Sequence, residues 1–329
     1  MRAAFGVISV GDLRSRIVAL SDEEALANAA THRLFSHRFP VTASNEDLRG
    51  RLDDLRRGED DLVSSLPATV KIGTTALLEL FHERMPEDFD LRGASRGNLM
   101  LVAAILEQRD VDQVLALFSR LLDVRGTVRP VVDAACHLRA HLEDGRVVDR
   151  QHLITRRGEG ALDARLVDLE LVCADDRVST VPPAIELSPA ERIAAADLIC
   201  FPMGSFYTSV IANLLPRGVG AAIARRRVPK VFVPNTGNDP EMFGMNVADA
   251  VEVILQRLRR DVGDAIAVDD LLTHVVLDVQ DAAYAEAPDL ARLRRLGVEV
   301  LRLPLVKGRQ DPPRIDAATL AELLVCIGG

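Results

Sequence analysis

The N-terminal third of the chain carries the spacing of amphipathic helices. Between residues 9 and 125, apolar residues recur every three to four positions, the repeat that places them on one face of a helix. Asn45 stands at the cap position of a segment over 46–57 that ends at Gly58, and glycine is common just after a helix. Further helices are predicted over 67–83, 98–108 and 110–122. We expect this helical block to cover one face of a sheet or to form a lid.

Residues 127–185 carry the pattern of strands instead. Polar and apolar residues alternate over 137–142, turn-forming residues follow over 143–146, and a second extended segment is predicted over 147–154. This arrangement predicts a β-hairpin. A further strand is predicted over 165–172, and Pro182-Pro183 marks the end of this portion.

From residue 188 onward, strand and helix patterns alternate. Strands are predicted over 198–201, 229–234, 273–279 and 298–303, and helices over 188–196, from about Tyr207, over 247–259, over 288–296 and from Asp316. Ser188 is predicted to cap the first of these helices, with Pro189 at its first position and Glu191 three residues after the cap. Such alternation predicts an α/β fold whose parallel sheet is covered by helices on both faces.

Composition and charge narrow the class of partner. Hydrophobic residues make up 48% of the 329 residues and charged residues 27%, the balance of a globular protein with a sizeable core. Aromatic residues are only 4% and Trp is absent, so the chain lacks the stacking platforms of a single-strand binder. The net charge is −9, which disfavours a duplex-binding face. We therefore expect no nucleic-acid partner.

The cysteines and the hydropathy indicate the compartment. None of the four cysteines forms a C-x-x-C pair. We expect them to be buried small hydrophobic residues in a reducing compartment. They are Cys136, Cys173, Cys200 and Cys326. No apolar run has the length of a membrane span and no secretory signal is visible, so a cytoplasmic protein without membrane association is predicted.

The loop over 202–208 is the sharpest candidate for a binding site. A buried strand ends, Gly204 permits a tight turn, and Ser205, Tyr207 and Thr208 crowd the predicted start of a helix. Unpaired N–H groups and a partial positive charge at a helix start, with hydroxyl groups beside them, suit a phosphate. Simple N-capping by Ser205 or Thr208 explains the same pattern equally well.

Three other segments have the composition of binding loops. In 92–99, Gly93 and Gly97 flank Ser95 and an arginine ahead of an apolar helix that begins near Asn98, which suits an anion or an ordinary capped loop. In 10–16, Asp12 is placed to hold a metal or to cap a helix, and Arg14 to meet a phosphate.

The third of these segments, 234–241, is rich in turn formers and follows a buried strand. Its Asn235 and Glu241 are candidates to contact a sugar or a base edge, and an ordinary strand-to-helix loop is the alternative. The seven histidines show no zinc spacing, and the G-x-S-x-G elbow of serine hydrolases is missing.

Taken together in their order along the chain, the four segments resemble the CofD/YvcK family. This family comprises 2-phospho-L-lactate transferases and nucleotide-sugar binders. Gly11-Asp12-Leu13-Arg14 is similar to the family's G-D-[IL]-R-N. The segment 93–99 is similar to G-H-x-x-G-N-L. The segment 196–211 is similar to A-D-L-I…G-P-G-S-L-Y-T-S-I. Pro229, Asn235, Glu241 and 247–249 are similar to P-K-V…N…E-T…V-A-D. The resemblance spans most of the chain.

The resemblance implies a single Rossmann-like domain over 1–329, with a mostly helical portion (1–125), a β-hairpin portion (126–185) and a regular α/β portion (186–329). It implies nucleotide binding, a nucleoside diphosphate or nucleotide sugar as ligand, Mg²⁺ as cofactor, and a homodimer. The implied ligand-binding residues are those of the four segments. They are Gly204, Ser205, Phe206, Tyr207, Thr208, Gly93, Ser95, Gly97, Asn98, Asn235, Glu241 and Arg14, with Asp12 for the metal.

Departures from the family pattern limit what is carried over. Ala94 replaces the family histidine, Pro202-Met203 replaces Gly-Pro, and Ser15 replaces the asparagine after Arg14. The family's opening strand with its glycine-rich turn, and its Asp-Asp-Gly-Gly segment, are expected upstream of residue 1.

Three hypotheses follow from the resemblance. The first is a transferase that moves a 2-phospholactyl-like group from a nucleoside diphosphate donor to an alcohol. The second is a non-catalytic regulatory protein that binds a nucleotide sugar. The third is a degraded remnant of such a protein.

Overall fold

The chain divides into two compact units, each with its own elements. The computed structural model describes residues 1–21, 29–149, 151–155, 162–173, 182–307 and 312–329. Contacts between residues separate Met1–Ala135 from Cys136–Gly329. The division lies ten residues after the predicted end of the helical portion, and a single domain over 1–329 stays a prediction.

Helices form the described part of the first unit, as the apolar spacing predicts. They are α1 (Arg2–Phe5), α2 (Val10–Ala19), α3 (Ala29–Ser36), α4 (Asn45–Arg57), α5 (Asp61–Ser64), α6 (Ala68–Arg84), α7 (Arg96–Gln108) and α8 (Val111–Leu121). Their apolar faces form one core, in which α7 buries every residue from Leu99 to Ile105. A helix that is apolar on all sides is typical of the centre of such a bundle.

Of the two predicted ends of α4, the structure confirms the C-terminal end and corrects the N-terminal cap. Gly58 ends the helix with φ +74°, the left-handed conformation that glycine adopts without strain. The cap is Ser44, whose hydroxyl accepts the Asp47 N–H at 3.1 Å. The prediction that Asn45 caps α4 is therefore wrong, because the Asn45 amide bonds the backbone of Phe89 and Leu91 instead.

The second unit begins with an antiparallel sheet. It has the order β2–β1–β3, with β1 at Cys136–Leu142, β2 at Val147–Asp149 and β3 at Leu166–Cys173. The hairpin is thus confirmed, but its second strand is shorter than predicted. A short helix, α9 (Gln151–Ile154), takes the place of the predicted continuation, and Arg150 lies outside the described residues.

A disulfide links β1 to β3 at one end of this sheet. Cys136 and Cys173 face each other in the strand register, and their sulfur atoms are bonded. Of the other two cysteines, Cys200 is half-buried and Cys326 is exposed. The expectation that all four cysteines are buried and unpaired is wrong, because adjacent strands bring two of them together across 37 residues of sequence.

The remaining strands form a parallel sheet in sequence order, β4–β5–β6–β7. They are β4 (Ile199–Phe201), β5 (Lys230–Phe232), β6 (His274–Asp278) and β7 (Glu299–Leu303). The helices between and after them are α10 (Leu187–Ala195), α11 (Val219–Arg225), α12 (Val247–Val262), α13 (Leu290–Arg295) and α14 (Ala317–Gly328).

Helices cover this sheet on both faces, so the predicted Rossmann-like α/β architecture is confirmed. On one face, Val231 and Val276 pack with Leu320 of α14. The side chain of Phe232, next along β5, points to the opposite face and lies 6.2 Å from the ring of Phe206. Alternate residues of a strand point to opposite faces, so an apolar run like 231–233 fits a sheet buried on both sides.

Two predicted helix starts differ from the structure. The cap of α10 is Glu186, not Ser188, because the helix begins earlier, at Leu187. The helix expected from Tyr207 is a π-helical turn over Phe206–Val210 that continues as a 3₁₀ turn over Ile211–Leu214. Among the described helices, none combines the length and the apolar character needed to cross a bilayer.

Candidate functional site

The turn after β4 is closed by Asn235, which follows β5. The two strands are neighbours and parallel, so their carboxyl ends bring these loops together. The Asn235 Oδ1 accepts the Gly204 N–H at 2.9 Å, and the Asn235 Nδ2 donates to the Gly204 carbonyl at 2.5 Å. Gly204 has φ +154°, where other residues are strained. Asn235 therefore holds the backbone of this turn with both ends of its amide.

Two carboxylates take the N–H groups at the start of the following helical turn. The Asp239 Oδ2 accepts the Phe206 N–H at 2.8 Å. The Glu241 Oε2 accepts the N–H groups of Tyr207 and Thr208, both at 2.8 Å, and its Oε1 accepts the Thr208 hydroxyl at 2.7 Å. Carboxylates of the chain itself thus accept hydrogen bonds from the backbone N–H groups that were predicted to bind a phosphate. Their negative charge suits the positive end of the helical turn.

Glu241 is held inside the protein by these contacts. Its side chain is only 2% exposed. Burial raises the pKa of Glu241, while the hydrogen bonds from Thr208 act in the opposite direction, and the net shift is upward. Glu241 therefore orders the loop instead of reaching a sugar or base from the surface.

The aromatic pair of the loop is also internal. The rings of Phe206 and Tyr207 meet edge to face at 5.0 Å. The Tyr207 hydroxyl donates to the Leu166 carbonyl of β3 at 2.8 Å, and burial raises the pKa of Tyr207 to about 12. Both residues anchor the turn.

Ser205 remains half-buried, and within the described residues neither its N–H nor its hydroxyl has a hydrogen-bond acceptor, so Ser205 is the member of this loop best placed to meet a ligand.

In the first unit, the structure brings two of the predicted segments together. Helix α2 packs on α7, and a Cβ at Gly11 would lie 3.9 Å from the Asn98 Nδ2. The Asn98 Oδ1 is buried, and no hydrogen-bond donor for it lies in the described part of the chain. An unsatisfied buried amide oxygen is rare in a native protein and marks a place where a donor from a ligand or water is expected.

Arg14 of α2 and Arg38 are close enough for their positive charges to oppose each other, and we call these two residues the arginine pair. Arg14 is only 7% exposed. Its Nη2 donates to Ser15 at 3.1 Å, and its Nε is buried without an acceptor. Burial and then the charge of Arg38 lower the pKa of Arg14. Across the described ranges, no carboxylate forms an ion pair with either arginine. Within the described residues, the positive charge of the arginine pair is therefore not neutralised by a carboxylate.

The remaining residues of segment 92–99 have packing roles. The Ser95 hydroxyl donates to the Phe35 carbonyl at 3.2 Å. A Cβ at Gly97 would lie 2.6 Å from that same carbonyl oxygen, so only glycine permits the close approach of α3 and α7. Gly93 has φ +70°, and its carbonyl accepts the Arg38 Nη1 at 3.0 Å. Gly93 thus holds the side chain of Arg38, while a phosphate contact by these glycines stays a prediction.

Asp12 lies in the first turn of α2 and is exposed. No group of three or more His, Cys, Asp or Glu side chains lies together in the described residues. Magnesium commonly uses one or two carboxylates together with phosphate oxygens of a ligand. A magnesium ion held by Asp12 would therefore share its coordination with phosphate oxygens of a bound ligand. Magnesium at Asp12 stays a prediction.

Two residues of these arrangements, Asp239 and Arg38, were not predicted from the sequence. Asp239 stands directly before Pro240, at the start of a 3₁₀ turn, and its Oδ1 accepts the Glu241 N–H. An Asp-Pro pair after a strand is a capping signal that was available. Arg38 had no such signal, because it lies after the end of α3, and its neighbour Arg14 lies in α2, distant in the sequence.

Comparison with known proteins identifies the family. The family model of the 2-phospho-L-lactate transferase CofD matches residues 1–306. The gluconeogenesis factor of Bacillus subtilis is 30% identical over 251 residues, which cover 75% of each chain. A putative gluconeogenesis factor of Aquifex aeolicus is 25% identical over 99% of this chain and 83% of its own length. A putative gluconeogenesis factor of a Nostoc species is 29% identical, and this chain covers only 42% of it.

The fold has also been seen in a solved structure. A crystal structure of a UPF0052-family protein from Bacillus halodurans has a TM-score of 0.68 and 24% sequence identity. It covers 98% of this chain, which in turn covers 85% of that protein. The four segments that carry the resemblance all lie within the matched residues 1–306. The chain therefore belongs to the CofD family.

Proposed function

We propose that this protein binds a nucleoside diphosphate or nucleotide sugar and that its ligand-bound form has a regulatory role. The observation that carries the proposal is the pair Arg14 and Arg38. Arg14 is buried, its Nε lacks an acceptor, and no carboxylate among the described residues neutralises the pair. A diphosphate would supply the missing charge and hydrogen-bond acceptors.

The loop after β4 supports binding more than transfer. Transfer of a phosphorylated group needs donors aimed at the charge that develops in the transition state. Three successive N–H groups of this loop are already donated to Asp239 and Glu241. The name gluconeogenesis factor, carried by relatives of this chain, also fits a regulatory role.

A transferase is the second candidate, and the family model favours it, since its description is that of a 2-phospho-L-lactate transferase. In that case Ser205 would contact the phosphate. The oxygen of an alcohol acceptor would attack the phosphorus of the transferred group, the bond from that phosphorus to the nucleoside monophosphate would break, and the alcohol proton would pass to solvent. Magnesium, when bound, would neutralise phosphate charge. A cytoplasmic location and a homodimer remain predictions.

One experiment separates the two functions. UDP-glucose and GDP serve as probes, each with magnesium, and both thermal stability and release of nucleoside monophosphate are measured on the same sample. Binding without turnover stabilises the protein by about 2.7 kcal/mol at a hundredfold excess over the dissociation constant. Release of monophosphate in the presence of an alcohol acceptor would instead establish the transferase.

Variants test whether the arginine pair is the binding site. Arg14→Gln should abolish the stabilisation by the probes. The matched control is Arg84→Gln, which removes one positive charge from the same unit at an exposed pair with Glu107. If Arg14→Gln and Arg84→Gln retain the same ligand response, the arginine pair does not bind the ligand and the proposal is wrong.

A further inference from the structure

A cavity of about 640 Å³ opens in the first unit, apart from the arginine pair. Its walls come from α3, from the start of α5 and from the first residue of α7. The lining residues are His32, Arg33, Ser36, His37, Asp60, Asp61, Leu62 and Arg96. Its volume lies in the range of sites that bind small molecules. Among the lining residues, only Arg96 belongs to a segment of the family resemblance, and the function proposed above does not use this cavity.

Arg96 is the buried cation of this cavity. Its side chain is 7% exposed, and its Nη1 lies 3.4 Å from the Asp60 Oδ1. That same Asp60 oxygen also accepts the Leu62 N–H at 2.9 Å, since it caps α5. The Arg96 Nε is buried and has no acceptor in the part of the chain that the structure describes. Asp60 therefore neutralises Arg96 only in part.

Other groups of the wall add donors and positive charge. The Ser36 hydroxyl is buried and unpartnered within the described ranges. Arg33 lines the cavity and is exposed. The charges of Arg51 and Arg96 are close enough to oppose each other, and burial followed by Arg96 lowers the pKa of His37. Asp60 and Asp61 are the acidic residues of the wall.

The side chains of Arg96 and Asn98 leave α7 on different sides. Arg96 and Asn98 are two residues apart in α7. Successive residues of an α-helix turn by about 100°, so these two side chains leave the axis about 200° apart. Asn98 faces Gly11 of α2, whereas Arg96 faces α3 and α5. The first turn of α7 therefore directs Arg96 to the cavity and Asn98 to α2.

We propose that this cavity is a second anion site, which binds the phosphate group of a small phosphorylated molecule through Arg96, Ser36 and Arg33. A phosphate monoester offers three oxygens that accept hydrogen bonds from separate donors. The buried Nε of Arg96 and the Ser36 hydroxyl are two donors that lack acceptors. The proposal is independent of the function proposed above, because none of these three residues belongs to the arginine pair.

Calorimetric titration of the full chain with inorganic phosphate at constant ionic strength tests the proposal. The wild type should bind two phosphate ions, one at each site. Arg96→Gln should lose one of the two, and Arg14→Gln should lose the other. Arg84→Gln, the exposed control, should retain both. A titration in which Arg96→Gln matches the wild type would overturn the proposal, whatever Arg14→Gln does.

A second variant keeps the test sound if Arg96→Gln does not fold. Ser36→Ala removes a hydroxyl that has no partner in the described chain, so folding should be retained. We expect it to weaken phosphate binding at this site about tenfold, the effect of losing one hydrogen bond to a charged group. Binding within twofold of the wild type for Ser36→Ala would also overturn the proposal. If the cavity does not bind phosphate, binding that depends on Arg14 is still expected. The two proposals can therefore be refuted separately.

Discussion

The carboxylate of Glu241 accepts both donors of Thr208, the backbone N–H at 2.8 Å and the hydroxyl at 2.7 Å. The two residues lie 33 positions apart in the sequence, and both are buried. This contact joins the loops that follow two neighbouring parallel strands. It fixes the backbone of the segment with the strongest family resemblance. A substitution at Glu241 tests how much this contact stabilises the protein.

Glu241→Gln should destabilise the protein. A glutamine side chain has one acceptor oxygen, whereas Tyr207 and Thr208 direct three donors at this position. At least one buried donor is left unpaired, which costs about 1–3 kcal/mol. Chemical denaturation measures the loss. Glu252→Gln is the control, since Glu252 forms a partly exposed pair with Arg292 and its removal should cost under about 1 kcal/mol. Equal costs for the two variants would contradict this account.

Asp168→Asn should reveal an acid-sensitive ion pair between β3 and α12. The buried Arg257 lies 2.5 Å from Asp168 through its Nη2. Burial raises the pKa of Asp168, but the charges of Arg257 and Arg260 outweigh it and hold the pKa below its ordinary value of 3.8. Loss of the carboxylate leaves Arg257 without its partner and should cost about 2 kcal/mol near neutral pH. This is less than for a fully buried pair, because Asp168 is partly in water.

The pH dependence of that cost has a defined sign. A carboxylate whose folded pKa is lowered contributes stability above its unfolded pKa and loses it as the pH falls through the folded pKa. The difference in unfolding free energy between wild type and Asp168→Asn should therefore be constant above about pH 5 and shrink below 3.8. Urea denaturation from pH 3 to pH 8 checks it. A difference that grows on acidification is incompatible with the ion pair.

Gly97→Ala should be costly, whereas Gly73→Ala should not. A Cβ at Gly97 would lie 2.6 Å from the Phe35 carbonyl oxygen, while a Cβ at Gly73 of α6 meets nothing within 4 Å. We expect a loss of about 1–3 kcal/mol for the first change and a gain of up to about 1 kcal/mol for the second, because alanine favours a helix interior. Thermal melts of both variants give the comparison. A neutral Gly97→Ala would show that α3 and α7 can separate freely.

Reduction of the Cys136–Cys173 disulfide should lower the melting temperature. The bond closes a loop with a sequence separation of 37 residues, and such a cross-link typically contributes about 2–4 kcal/mol by restricting the unfolded chain. Melting with and without dithiothreitol measures the effect. The double variant Cys136→Ser, Cys173→Ser should melt like the reduced wild type and be insensitive to the reductant. Thiol titration confirms that the disulfide has been reduced. If the melting temperature of the reduced wild type is then unchanged, the disulfide does not stabilise the fold.

Much of the architecture followed from local patterns. The 3.6-residue spacing predicted the helices of the first unit, and strand–helix alternation after residue 188 predicted the parallel sheet. These signals are local, since each depends on side chains within one turn of helix or one strand. Element ends were less predictable. Ser44 caps α4 where Asn45 was expected, because the Asn45 amide bonds the backbone of Phe89 and Leu91 instead. The cap position of α10 is Glu186 and not Ser188, because that helix begins at Leu187.

The sequence by itself determined the class of fold and, through four ordered segments, the family. Only the tertiary structure decided how the polar groups of those segments are used. It directs Asp239 and Glu241 to the loop N–H groups, pairs Cys136 with Cys173, and leaves Arg14 beside Arg38 without a counter-ion. The physical reason is distance along the chain. Hydrogen bonds and charges act over a few ångströms in space, and strand order and helix packing decide which distant residues come within that range.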